Sequence, residues 1–124
     1  MIKHVSLTTV YVSDQDQALD FYVNKLGFEV RADATMGDMR WIQVAPPGAV
    51  TTIVLAHGFG GWSEEKVGQF TGIGLEADDL EATYRELTSR GVEFTEQPTQ
   101  QPWGLQSQFV DQDGNGYVLG QTGE

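Results

Sequence analysis

The 124-residue sequence contains no cysteine, which excludes a disulfide framework, a thiol nucleophile and every cysteine-ligated zinc or iron–sulfur site. Positive charge is scarce. Seven lysines and arginines stand against 18 aspartates and glutamates, giving a net charge of −11. Binding to a nucleic-acid backbone or an anionic membrane needs a basic surface, and these seven residues are spread thinly between Lys3 and Arg90. Neither partner is expected. No apolar run approaches the ~18 residues of a membrane span. Met1-Ile2-Lys3-His4-Val5 leads straight into alternating sequence, with no signal-peptide h-region, so the expected location is the cytoplasm. The G-x-S-x-G nucleophile motif is missing, and Gly58-Phe59-Gly60-Gly61 does not open a helix after a Rossmann strand.

Glycine, by contrast, is abundant, with 15 residues that should mark turns, bulges or places where the backbone leaves room. Residues 3–12 alternate and are rich in β-branched and aromatic types, which predicts a strand. Ser13-Asp14 offers a cap for a helix carrying Ala18, Leu19, Phe21, Tyr22 and Leu26, stopped by Gly27. Strands follow at 28–35, 40–45 and 51–57, divided by turns at Gly37-Asp38 and Pro46-Pro47-Gly48. The second half repeats this order: a strand at 69–77, a helix capped by Asp78-Asp79 and ended by Gly91, then strands at 93–96, 103–110 and 116–121. A shift of 64 residues lays Asp14 on Asp78, Ala18 on Ala82, Gly27 on Gly91 and Val54 on Val118. The prediction is one α+β domain of two βαβββ modules, 1–57 and 69–124, joined by a connector over 58–68. That connector holds Phe59 and Trp62. It is either a plain linker whose rings anchor it on the core or a mobile loop whose rings cover a pocket.

The two modules, the helix Ala18-Leu19-Asp20-Phe21-Tyr22 followed by Leu26-Gly27-Phe28, and the closing Asp111-Gln112-Asp113-Gly114-Asn115-Gly116 together resemble the vicinal oxygen chelate superfamily. Its members include glyoxalases, bleomycin-resistance proteins and extradiol dioxygenases. Gln112 stands where many members carry proline. The resemblance covers essentially the whole chain. It implies curved half-barrels around a cavity, with the helices packed outside. Alternation then points Thr52, Val54 and Ala56, Gly72, Gly74 and Glu76, and Gly116, Val118 and Gly120 inward. Five of these are glycine or alanine, through which the strands either curve or leave space.

Enzymes of this superfamily hold a divalent metal with histidine, glutamine or glutamate at one inward position on each of four strands. Those positions fall here on Leu7, Val54, Thr71 or Gly72, and Val118. Three of the side chains offer no donor, and threonine is a poor ligand. His4 and His57 are out of phase with these positions, so neither a metal nor any other cofactor is expected. Glu76 is the one acidic group that alternation turns toward the cavity. What remains is an apolar, ring-rich pocket, with Leu7, Thr9, Tyr11, Trp41, Gln43, Val54, Phe59, Trp62, Gly72, Trp103, Phe109 and Val118 as expected ligand contacts.

The resemblance therefore leans to the metal-free, drug-sequestering resistance proteins, which are typically homodimers. The expected partners are a bulky, hydrophobic or aromatic small molecule and a second copy of the chain. The alternative is a lyase, isomerase or dioxygenase with an atypical metal site, and a third reading is a sensing or assembly module. The acidity serves solubility first, with attraction of a cationic ligand as a second role.

Overall fold

The computed structural model describes residues 1–122. It contains two compact units, Met1–Gly68 and a second beginning at Gln69. Each is a mixed four-stranded sheet with helical structure on one face, and neither sheet closes into a barrel.

In the first unit the strands are β1 (Leu7–Tyr11), β2 (Glu29–Met36), β3 (Met39–Ala45) and β4 (Thr52–Ala56), in the order β1-β4-β3-β2. β1 lies parallel to β4, and the other pairs are antiparallel. A parallel pair needs a crossover, which begins with the helical segment after β1. Asp14 caps α1 (Gln15–Leu19), its Oδ1 accepting from the Gln17 amide at 2.9 Å. The helix then widens into a π-helical stretch over Asp20–Lys25, where the Leu26 amide bonds the Phe21 carbonyl five residues back. Phe21 and Tyr22 are both buried there, edge to face at 5.4 Å. The β2–β3 hairpin pairs Met36 with Met39 across Gly37-Asp38. Only Gly37, at φ +62°, has a positive φ, the sign pattern of a type II′ turn.

Strand alternation gives this sheet two distinct faces. Val10, Ile42, Val44, Ile53 and Leu55 share one face and are buried with Ala18, Phe21 and Tyr22. Gln15 pins α1 to that side by donating from Nε2 to the Arg40 and Leu55 carbonyls at 2.8 and 2.9 Å. Arg40 in turn bridges Asp16 of α1 and Asp33 of β2 at 2.8 and 2.9 Å. Hydrogen bonds from the guanidinium hold the Asp33 carboxyl below its ordinary range and push Arg40 upward.

The second unit repeats the order as β5-β8-β7-β6, with β5 (Phe70–Glu76), β6 (Glu93–Gln101), β7 (Gly104–Val110) and β8 (Gly116–Thr122). Asp79 caps α2 (Leu80–Ser89), and Gln121 Oε1 of β8 accepts from the Leu80 amide at 2.7 Å, seating the helix on its sheet. Two expectations shift here. β6 continues past Glu96 to Gln101, because Pro98 lies on an edge strand where its missing N–H breaks no central ladder and the register slips between Glu96 and Thr99. Trp103 sits in the turn before β7 and outside the strand. Asp111 organises the β7–β8 turn, its Oδ1 accepting from the Asp113 and Asn115 amides and its Oδ2 from Asn115 Nδ2. Among the described residues no helix is long and apolar enough to cross a membrane.

Candidate functional site

The face of the first sheet turned away from its helix gathers half of the expected ligand residues, although one of them, Val54, is 0% exposed and so is itself enclosed. The parallel register sets Leu7, Thr9 and Tyr11 beside Thr52, Val54 and Ala56, and β3 brings Gln43 opposite Val54 with Trp41 two residues away on the same side. A hydrogen-bonded line crosses this face. Trp41 Nε1 donates to Gln43 Oε1 at 3.1 Å, and Gln43 Nε2 donates to Thr52 Oγ1 at 2.8 Å. Both ends of the Gln43 amide are thereby used, which orients the indole without exposing an unpaired polar atom. Thr52, which is not among the expected contacts, completes the line.

The 58–68 segment attaches to this unit at several points. Phe59 stacks on Trp41, with centroids 6.0 Å apart and 26° between the planes. Tyr11 Oη donates to the Gly60 carbonyl at 2.6 Å. Lys66 Nζ lies 5.6 Å from the Tyr11 ring centre and donates to the Gly61 carbonyl. Trp62 is held differently. Its Nε1 donates to the Val12 carbonyl at 3.0 Å, and its ring packs 4.5 Å from His57, whose Nδ1 is 3.1 Å from the same oxygen. A carbonyl can only accept, so His57 Nδ1 carries the proton in that contact. Aromatic rings therefore hold the segment at two places, Phe59 on Trp41 of β3 and Trp62 beside Val12 and His57, the residues that follow β1 and β4.

In the second unit, Gly74 and Glu76 of β5 pair with Val118 and Gly120 of β8, which in turn face Gln108 and Gln106 of β7. These residues lie on the face away from α2. Gly72 adopts φ +75° where the β5 register is interrupted, a conformation that L side chains rarely take. A Cβ built on Gly72 or Gly74 would meet no described atom within 4 Å, so the backbone here borders open space. A cleft of about 110 Å³ lies against this strand end, bounded by Glu76, Trp103, Gln106, Val118, Gly120 and Thr122 among others. Gln106 is absent from the expected contacts, although its alternation with Phe109 carries the signal.

Phe109 requires correction. It is 1% exposed and stacks on Tyr117, with centroids 5.3 Å apart, on the α2 side of the sheet. Phe94 packs against it at 5.7 Å, and Tyr84 of α2 closes on Phe94 at 4.7 Å. Three positions of alternation from Gln106 place the ring in the core, out of reach of a ligand on the opposite face.

Comparison with known proteins decides the family. Residues 2–119 match the family model described as the Glyoxalase/Bleomycin resistance protein/Dioxygenase superfamily. The chain belongs to this superfamily. YetH of Bacillus subtilis (strain 168) is 38% identical over 120 residues, spanning 96% of this chain and 98% of that protein. TnmS3, an antibiotic binding protein from Streptomyces sp. CB03234, superposes with a TM-score of 0.87 at 42% identity, covering 98% of both chains. A superfamily member from Sphaerobacter thermophilus DSM 20745 gives a TM-score of 0.85 at 43% identity, covering 97% of this chain and 98% of that one.

The resemblance implies divalent-metal positions at Leu7, Val54, Thr71 or Gly72, and Val118. The structure tests whether these residues suit a cation. Leu, Val and Gly side chains have no donor atom, and the one candidate oxygen is already engaged. Thr71 Oγ1 donates to the Gly116 carbonyl at 2.7 Å and accepts from the Ile73 amide at 3.0 Å. Among the described residues no group of three or more His, Cys, Asp or Glu side chains is arranged to hold a metal elsewhere. The residues at these positions do not fit a divalent metal.

Proposed function

We propose that this chain binds and sequesters a bulky aromatic small molecule of the antibiotic class, without a metal, and that it does so as a cytoplasmic homodimer. The observation that carries the reading is the substitution of chemistry by packing on the face of the first unit's sheet turned away from its helix. Leu7 and the buried Val54 stand where the resemblance places metal ligands, while Trp41, fixed through Gln43 and stacked by Phe59, presents a rigid aromatic surface on the same face. An oriented indole binds a planar partner at low entropic cost, and each such stack contributes about 0.5–1.5 kcal/mol beyond area burial. The 42% identity to TnmS3 over nearly the whole of both chains supports the same reading.

The test is calorimetric titration of the purified protein with a panel of polycyclic aromatic antibiotics, together with metal analysis of protein prepared without chelator. Saturable binding of a panel member by metal-free protein is the expected result. No binding across the panel, or a stoichiometric divalent ion in the preparation, overturns it. Light scattering reads the oligomeric state, and a monomer at micromolar concentration removes the dimer from the proposal.

A further inference from the structure

The cleft beside Glu76 and Trp103 has a chemistry that the first unit's aromatic face lacks. Trp103 is 64% exposed although it is one of the largest apolar side chains. It is not loose, because its Nε1 donates to Gln106 Oε1 at 3.0 Å. That bond satisfies the indole edge and leaves the ring itself as the surface available for recognition. Glu76 is held in a similar way. Thr122 Oγ1 donates to its Oε2 at 3.1 Å, and Oε1 has no partner among the described residues. Val118 and Gly120 supply an apolar wall with little side-chain bulk. At about 110 Å³ the space suits a small group rather than a whole polycyclic ligand.

A ring face, a fixed carboxylate and an apolar wall around a small volume are complementary to an alkylammonium ion. The cation is attracted to the indole quadrupole and to the carboxylate, while its methyl or methylene groups bury against Val118. No lysine or arginine is among the described residues that line the cleft. From Gln69 onward the sequence has two basic residues, Arg85 and Arg90, against ten acidic ones, and neither arginine lines the cleft. A negative field of this kind also raises the local concentration of cations.

We propose that the Glu76–Trp103 cleft is a cation subsite that takes an alkylammonium group, so that the sequestered aromatic ligand is one that carries an amine-bearing arm. This rests on the binding role proposed above and names the class of ligand more closely. The acidity of the chain then has a local function beside its general one.

Choline and its neutral isostere 3,3-dimethylbutan-1-ol separate charge recognition from simple apolar filling. Each is titrated into the ¹⁵N-labelled full chain, reading the three indole N–H resonances, with that of Trp103 identified by its loss in Trp103→Ala. The expected result is a saturable shift of the Trp103 indole with choline and none with the isostere. Glu76→Gln should weaken choline binding about tenfold, and added salt should weaken it further. An equal response to the isostere, a response confined to Trp41 or Trp62, or unchanged affinity in Glu76→Gln overturns the subsite. The aromatic panel is scored separately. Antibiotic binding without a choline response at Trp103 removes the subsite and keeps the binding role, whereas a choline response without antibiotic binding removes the aromatic ligand and keeps the subsite.

Discussion

Trp41 and Gln43 are joined side chain to side chain along one strand, the indole N–H donating to the amide oxygen at 3.1 Å. The contact matters because the Gln43 amide nitrogen is simultaneously bound to Thr52 on the next strand. Rotation of the indole would leave a part-buried acceptor without its donor, which costs about 1–3 kcal/mol. The ring is therefore preorganised before any ligand arrives. Gln43→Leu should preserve the fold, lower stability by about 1 kcal/mol in urea denaturation, and weaken aromatic ligand binding by loosening Trp41.

Trp41→Ala should weaken binding of an aromatic ligand by about 1–3 kcal/mol, the size of an interface anchor. Trp41→Phe should recover part of that loss, because it keeps a ring for Phe59 to stack on but cannot donate to Gln43. Calorimetric titration of both variants measures the difference. Equal affinity in wild type and Trp41→Ala would take Trp41 out of the site.

Tyr11→Phe deletes the 2.6 Å hydrogen bond to the Gly60 carbonyl while retaining the ring beneath Lys66. The contact is solvent-exposed, so the expected loss of global stability is small, about 0.5 kcal/mol. The local effect should be larger. Limited proteolysis within 58–63 should accelerate in the variant, with the Trp62 anchor to Val12 slowing cleavage beyond it.

Phe109→Ala should cost about 3–5 kcal/mol, the range for deleting a fully buried phenylalanine, since the ring fills the space between Phe94 and Tyr117. Thermal unfolding reads this loss. Ligand affinity of the folded fraction should stay close to wild type, whereas a ligand-contacting Phe109 would lose both.

The Asp33 carboxyl titrates below its ordinary range because Arg40 hydrogen-bonds it. A depressed folded-state pKa means that the pair's contribution is present above the unfolded carboxylate pKa and is lost as pH falls through the folded value. At 36% side-chain exposure the contribution is screened, about 0.2–1 kcal/mol. Asp33→Asn should therefore be less stable than wild type at neutral pH, and the two denaturation midpoints should converge in acid. A difference that persists unchanged in acid would assign the effect to something other than the charge.

The order of elements is legible in the chain because it depends on short-range chemistry. Asp14 and Asp79 cap helices through bonds spanning three residues, Gly37 permits its turn through its own φ, and period-two alternation assigns faces wherever a strand is regular. The same alternation places Trp41, Gln43 and Val54 on one face without any knowledge of their partners. Where a strand departs from regularity, this reasoning fails. β6 outlasts its expected end because its edge position tolerates Pro98, and edge position is a property of strand order across the sheet.

Site residues divide along the same line. That cysteine, a basic surface and metal-donating side chains at Leu7, Val54 and Val118 are missing is a matter of residue type, and the sequence alone determined it. Which aromatic rings form the core and which remain available was decided by tertiary structure. Phe109 lies near the end of β7 and Trp103 in the turn just before it, six residues away, yet one is enclosed by Phe94 and Tyr117 while the other stands exposed over a cleft beside Glu76. Aromatic rings are equally suited to core and to ligand contact, so their chemistry does not discriminate. What discriminates is which surface lies opposite, and that surface is built from residues distant in the chain.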